Sequence, residues 1–349
     1  MSRYLVTGAT GFLGSHLAAH LLQQGHEVVA LCRKPSAALG KLGLIVMAGD
    51  SLDAEAVKAA AAGCEGVFHC AGKVSRKPED AELLYRTNVD GTKVVASASK
   101  AAGATRLVLA STSGTIAISK EPKVWDEKAP VPLELIAKWP YYRSKLYAET
   151  AALEQNGERF QVVSVNPSLL LGPGDLHGSS TGDIQSFLDG EVPVVPAGGL
   201  SFVDVRDVAP AMLAAMEKGK PGAKYLLSGA NITVDAFLGR ISRITGVERP
   251  KVKAPRGMLL AKIGAGLFDQ AKKVLPLAGE IDAVSAEMGQ VFWYCDSKRA
   301  IAELGFAPRD PNETLADTVA DLYERGVVWP KGGRKSLAAG GQSRAGSLE

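Results

Sequence analysis

Two side chains four residues apart, Tyr141 and Lys145 in the run Tyr141-Tyr142-Arg143-Ser144-Lys145, carry the clearest chemistry in this chain. On a helix that spacing stacks both side chains on one face. A phenol ionises near pH ~10 and is a poor acid or base at neutrality. An adjacent ammonium favours the phenolate and is expected to draw that value down toward the working pH. Tyr142 stands three residues from Lys145 and would leave the four-residue match unfilled, so Tyr141 is the candidate acid–base group. A third group lies upstream, where the apolar run 106–110 ends in Ser111-Thr112-Ser113-Gly114-Thr115. A hydroxyl at the carboxyl end of a strand lies where open α/β sheets bind ligands, and Ser113 there suits a hydrogen bond to a substrate oxygen.

Near the N-terminus, Thr7-Gly8-Ala9-Thr10-Gly11-Phe12-Leu13-Gly14 joins an apolar run to a stretch of helical spacing. Gly8 allows a tight turn, Gly11 lets backbone approach a pyrophosphate, and Gly14 permits close packing of helix on strand. The opening turn of the helix, Thr10 to Leu13, then offers free N–H groups and a positive dipole end to an anion. A dinucleotide is the expected ligand. The second apolar run, 27–31, is followed by Cys32-Arg33-Lys34, with no carboxylate to accept from a ribose 2′-hydroxyl. Arg33 suits a 2′-phosphate, with Lys34 as a second cation, although both also read as solvated surface cations. NADP(H) is the cofactor favoured, and NAD(H) stays open.

The elements that must position these groups follow from periodicity. β-rich runs recur at 4–7, 27–31, 44–47, 66–69, 106–110 and 161–165, with helical stretches at 12–24, 53–62, 82–102 and 141–155 between them. Near-continuous apolar strands separated by helices predict an α/β protein with a doubly wound parallel sheet, a Rossmann fold. Residues 1–170 form the expected dinucleotide domain, to which the chain returns around 200–228. After Asn166 prolines and glycines break the alternation. A smaller, mostly helical substrate-binding lobe is expected over 171–330, from helical patterns at 258–274, 297–304 and 313–325 above the carboxyl edge. Residues 331–349 read as a disordered tail.

The composition narrows the function classes. The 349 residues are 46% hydrophobic and 22% charged, with 40 basic and 37 acidic side chains and a net charge of +3. That balance argues against a nucleic-acid partner, and the apolar content argues against disorder. Cys32, Cys64, Cys70 and Cys295 lack the spacing of a zinc site or disulfide framework, so no metal is expected. The apolar stretch 258–268 is interrupted by Lys262 and too short to span a bilayer. Residues 1–8 lead straight into the glycine turn and predict no leader. A soluble, cytoplasmic protein is the expectation. His69, closing a buried strand, reads as structural.

With these pieces assembled, the sequence resembles the extended short-chain dehydrogenase/reductase family over most of its length. Gly8-x-x-Gly11-x-x-Gly14, Tyr141-x-x-x-Lys145 and Ser113 match its best-known motifs. Gly49-Asp50-Ser51-Leu52 resembles the family's adenine contact, and His69-Cys70-Ala71-Gly72 the end of its fourth strand. Asn88-Val89-Asp90-Gly91-Thr92 and Asn166-Pro167 through Gly172-Pro173-Gly174-Asp175 match further segments. The resemblance implies Ser113, Tyr141 and Lys145 as the catalytic set. It implies a cofactor site drawn also from Asp50, Ser51, Ala71, Gly72 and Pro167, with Lys145 holding the nicotinamide ribose. Ser111-Thr112-Ser113-Gly114-Thr115 and the run 199–209 look closest to the dihydroflavonol reductase-like and 3β-hydroxysteroid dehydrogenase-like branch. Nucleotide-sugar enzymes of the family carry an arginine where this chain has Leu200, and a buried diphosphate without a cation is a costly ligand. A different cation, such as Arg206, could compensate. The implied activity is NADP(H)-dependent interconversion of a carbonyl and an alcohol on a small-molecule, largely apolar or aromatic substrate. The alternatives are a nucleotide-sugar epimerase or dehydratase with tightly held NAD, and a dinucleotide-binding protein without turnover. A homodimer paired through helices 82–102 and 141–155 is expected by the same resemblance.

Overall fold

The computed structural model describes residues 1–35, 37–257 and 283–329. In chain order its strands are β1 (Arg3–Thr7), β2 (Glu27–Cys32), β3 (Ile45–Ala48), β4 (Gly66–His69), β5 (Arg106–Ala110), β6 (Gln161–Pro167), β7 (Leu169–Leu171), β8 (Gly199–Asp204), β9 (Lys224–Leu227) and β10 (Ala230–Thr233). The helices are α1 (Phe12–Gln23), α2 (Ala37–Lys41), α3 (Ala54–Ala61), α4 (Ala81–Leu84), α5 (Gly91–Ala101), α6 (Leu133–Ile136) and α7 (Pro140–Leu153). They continue with α8 (Gly182–Leu188), α9 (Val205–Lys218), α10 (Val234–Thr245), α11 (Ala283–Met288), α12 (Lys298–Leu304) and α13 (Pro311–Glu324).

Seven parallel strands form the main sheet in the order β3-β2-β1-β4-β5-β6-β9. Its faces are sealed by two apolar layers that alternate along each strand. Tyr4, Val6, Phe68, Val108 and Val163 face α1 and α9, while Leu5, Val67, Leu107, Leu109 and Val162 face α3 and α5. A strand buried on both sides cannot show an apolar–polar alternation, which is why these segments read as unbroken apolar runs. The doubly wound Rossmann-like sheet expected from the sequence is thus present. The returning chain supplies α9 and a seventh strand, β9, on the edge beside β6.

The second sheet was not expected. β7 follows β6 after the single residue Ser168 and pairs with β8, which also pairs antiparallel with β10. With α8, α10 and α13 these strands enclose a separate core of Leu171, Ile184, Phe187, Phe202, Phe237 and Leu315. Among the described residues the lobe's helices still outweigh these three strands, and strands this short, set among prolines and glycines, carry little period-two signal. Helix α12, expected in the lobe, packs instead on α9 and β9, with Ala300 and Leu304 in the sheet's own core. The patterns expected at 258–274 and 331–349 lie outside the described residues.

The expected helix 82–102 is continuous but widens midway, where Tyr85–Asp90 adopts π-helical hydrogen bonding between α4 and α5. Such bulges collect at functional positions. His69 is structural, as expected. It bonds Thr7 Oγ1 at 2.7 Å and Thr92 Oγ1 at 3.0 Å. Burial, with the nearby Lys145 charge adding to it, pushes the imidazole down to about 3.

Candidate active site

Because all seven strands run the same way, their carboxyl ends lie along one edge. β2 and β3 fall on one side of β1 and β4, β5 and β6 on the other, so a crevice opens where the order reverses. Gly8 ends β1 there with φ +74°, and a Cβ on it would stand 2.6 Å from the Ala71 amide nitrogen. The turn after β1 is therefore pressed against the loop after β4. A Cβ on Gly14 would overlap the Gly8 carbonyl oxygen, which in turn accepts from the Gly11 N–H at 2.9 Å. Helix α1 opens at Phe12 with no side-chain cap and no acidic residue in its first turn. Its leading N–H groups have no partner within the helix, and Thr10 beside them is exposed. A cradle of bare backbone that tolerates no Cβ, next to an uncapped helix start, fits a pyrophosphate.

Arg33 and Lys34 follow β2, are exposed, and enter no ion pair among the described residues. The neighbouring β3 runs into the Asp50–Ser51 turn, which the Gly49 N–H ties to Cys32 at 3.1 Å. Asp50 accepts from the Leu52 N–H at 3.0 Å. Ser51 lies beside Gly91, and Pro167 closes β6 in register with Leu227. These expected cofactor residues are thus spread along the carboxyl edge. Ala71 and Gly72 are joined to the opposite wall by Asn88. Its amide donates to Lys73 O at 3.0 Å and Ser144 Oγ at 2.9 Å and accepts from Lys73 N at 2.8 Å.

Tyr141 and Lys145 both lie on α7, as their spacing demands. Lys145 is 9% exposed and donates to the carbonyl of Ala110, the last residue of β5, at 2.7 Å. Burial lowers its ammonium to about 8, against the opposing pull of Glu149 and Cys70. Tyr141 departs from expectation. Its phenol is raised above the ordinary value, first by burial and then by the Tyr142 phenol 5.0 Å away between ring centres. Lys145 directs its ammonium to the Ala110 carbonyl.

Ser113 is buried and opens a single 3₁₀ turn, Ser113–Thr115, whose Gly114 N–H is accepted by Thr112 Oγ1 at 3.3 Å. Two residues before Ser113, the buried Ser111 hydroxyl has no hydrogen-bond partner among the described residues. A buried hydroxyl left without a partner is costly, so this strand end suits an oxygen-bearing ligand. Tyr142 is held elsewhere. It packs over Gly114 and on Trp293, with ring centres 4.8 Å apart, and Trp293 stacks on Trp139 at 5.6 Å. Burial pushes its phenol up to about 12.

Sequence reasoning gave no role to Asn88, Glu149, Trp139 or Trp293. Asn88 heads a segment matched by resemblance, and Glu149 extends the four-residue spacing of Tyr141 and Lys145 by one more step. Leu200 is half-buried on β8 opposite Ile232. Arg206 is engaged by Asp204 at 2.7–2.9 Å and by Asp317 at 2.7 Å. Among the described residues no metal-binding cluster occurs, and no helix is long and apolar enough to cross a membrane.

Comparison with known proteins agrees with this geometry. The chain is 34% identical over 332 residues to a Synechocystis protein provisionally named dihydroflavonol 4-reductase, covering 93% of this chain and 96% of that one. It is 33% identical over 343 residues to cinnamoyl-CoA reductase 1 of Arabidopsis thaliana, covering 93% and 90%. The crystal structure of gox2253 superposes with a TM-score of 0.80 at 28% identity, over 94% of this chain and all of that one. A sheet with a glycine turn at its switch point, relatives named as reductases, and a family match over residues 4–228 place the chain in the NAD dependent epimerase/dehydratase family, as an NAD(P)-dependent oxidoreductase.

Proposed function

We propose that this protein is an NADP(H)-dependent reductase that interconverts a carbonyl and an alcohol on a largely apolar or aromatic small molecule. The observation that carries the reading is the bond from Lys145 Nζ to Ala110 O. It draws the amine and the Tyr141 helix to the strand end from which Ser113 projects, at the edge that holds the phosphate turn. The backbone from Gly8 to Gly14 would hold the pyrophosphate, Asp50 and Ser51 the adenosine end, and Arg33 the 2′-phosphate. The bound dinucleotide supplies or accepts the hydride.

The chain's own residues handle the proton. Tyr141 donates its phenolic hydrogen to the substrate oxygen in the reducing direction, and the Ser113 hydroxyl bonds the same oxygen. The ammonium of Lys145 offsets the charge left on the phenol, and solvent returns the proton. Tyr141 is held protonated by burial, the form a proton donor needs.

An apolar substrate is supported by what the cleft's cations are doing. Arg206, a candidate to replace the missing diphosphate contact, is already tied to two carboxylates. The epimerase or dehydratase reading has the family description in its favour, and one assay separates the two. Purified protein is given NADPH or NADH with a panel of aromatic and aliphatic aldehydes and ketones. Oxidation of NADPH in preference to NADH, strongest with aromatic carbonyls, is expected. Conversion of a nucleotide sugar without net cofactor use, with NAD released on denaturation, would overturn the proposal.

A further inference from the structure

We propose that Glu149 is a positioning residue for the catalytic set, a buried carboxylate that fastens the Ser113 turn and the Lys145 helix to one point beneath the site. The inference rests on the reaction proposed above. Glu149 is fully buried on α7, one turn beyond Lys145. Its Oε2 accepts from Ser164 Oγ at 3.1 Å, from Thr115 Oγ1 at 3.2 Å and from the Asn166 amide, while its Oε1 meets the ammonium of Lys224. The same Asn166 amide reaches the Thr112 carbonyl at 3.1 Å and Thr115 Oγ1 at 3.2 Å. Its carbonyl oxygen accepts from Ser164 Oγ at 2.9 Å.

A carboxylate taken fully out of water persists only where its lone pairs are filled. Here the donors that fill them come from β6, from β9 and from the turn that carries Ser113. One ion pair to Lys224 would suffice to neutralise the charge. The additional bonds instead fix Thr112 and Thr115, on either side of Ser113, to the helix that carries Tyr141 and Lys145. Glu149 thereby sets the distance between the hydroxyl and the amine without touching substrate.

A second consequence is electrostatic. With Tyr141 one turn earlier on the same helix, the ionisable groups coupled to Lys145 are Glu149 on α7 and His69 and Cys70 at the end of β4. His69 and the Cys70 thiol are both kept neutral by burial. Glu149 is the carboxylate in that group, and it favours the ammonium.

Two variants separate geometry from charge. Glu149→Gln keeps the shape and removes the charge. Its kcat for carbonyl reduction is expected to fall roughly tenfold, and the alkaline limb of its pH profile to move about one unit lower, with KM for NADPH unchanged. Thr115→Val removes the hydroxyl that Glu149 and Asn166 hold in the turn and leaves the charge; it lowers kcat severalfold with the limb in place. The pH dependence of isotopic labelling of the Lys145 amine, read by peptide mass spectrometry, follows the limb and needs no turnover. If the wild-type chain reduces no carbonyl, the reaction assignment fails while the labelling shift still stands or falls alone. A folded Glu149→Gln protein with wild-type kcat, limb and labelling profile would overturn the proposal. If Glu149→Gln does not fold, wild-type kcat in Thr115→Val overturns it equally.

Discussion

Tyr141 and Tyr142 are neighbours with opposite assignments, and only their surroundings separate them. Tyr142 spends its ring on Gly114 and Trp293, whereas Tyr141 shares a helical face with Lys145. Tyr141→Phe is therefore expected to lower kcat by about 10²–10⁴ with cofactor affinity kept, while Tyr142→Phe stays within a few-fold of wild type. Equal losses in steady-state kinetics would mean the tyrosines are misassigned. With the Lys145 ammonium lowered to about 8, activity that needs the charged amine is present below that pH and declines as pH rises through it. Arg33→Ser should raise KM for NADPH about tenfold or more, the worth of a charge-assisted bond, and leave KM for NADH alone. An unchanged ratio of the two constants would place the 2′-phosphate elsewhere. At this scale the sequence told which residue types meet, because a helix makes four-residue spacing a contact. It did not tell that Tyr141 is raised rather than lowered, since burial depends on the fold around it.

At the scale of elements, β1, β4 and α5 are cross-linked inside the sheet by His69, through Thr7 and Thr92. The ring's folded-state pKa is about 3, below an unfolded value of ~6.5. The unfolded chain therefore binds the extra proton first. The stability of the neutral ring is fully present above pH ~6.5 and is lost toward pH ~3, by at most about 1.4 kcal/mol per pH unit. Thermal unfolding measured across that range should show a falling midpoint in the wild-type chain and a flatter one in His69→Gln, relative to each protein at neutral pH. Parallel slopes would assign the acid sensitivity to other groups. Five of the six strands of the alternating half were legible because each is buried on both faces, and the half-exposed edge strand β3 through its apolar run. The β7-β8-β10 sheet was not, because β7 has only three residues and continues the line of β6. Nor was the π-helical turn that aims Asn88 at Lys73 and Ser144, since a helical period looks the same with one bond widened.

At the scale of the whole molecule, an exposed ion pair joins a loop of the main sheet to the lobe. Arg76, in the loop after β4, donates twice to Asp183 in the first turn of α8, at 2.7 and 2.6 Å. Both side chains are about half exposed, so the pair contributes only about 0–1 kcal/mol to stability. Each end is nevertheless rigidly mounted. Asn88 grips the Lys73 backbone behind Arg76, and the Asp175 carboxylate gathers the N–H groups of Ser179, Ser180 and Thr181 just before α8. Both charges are felt by the Tyr142 phenol, which places the pair near the aromatic wall beside Tyr141. A weak bond between two stiff arms suits a clasp that opens for substrate more than a brace for the fold. Arg76→Asp should leave the melting temperature nearly unchanged yet raise KM for the carbonyl severalfold, and adding Asp183→Arg should bring KM back. High salt should reproduce the single variant in the wild-type chain, because screening weakens exposed pairs. If Arg76→Asp instead destabilises the protein with KM unaltered, or the exchanged pair fails to restore KM, the two residues do not form a clasp.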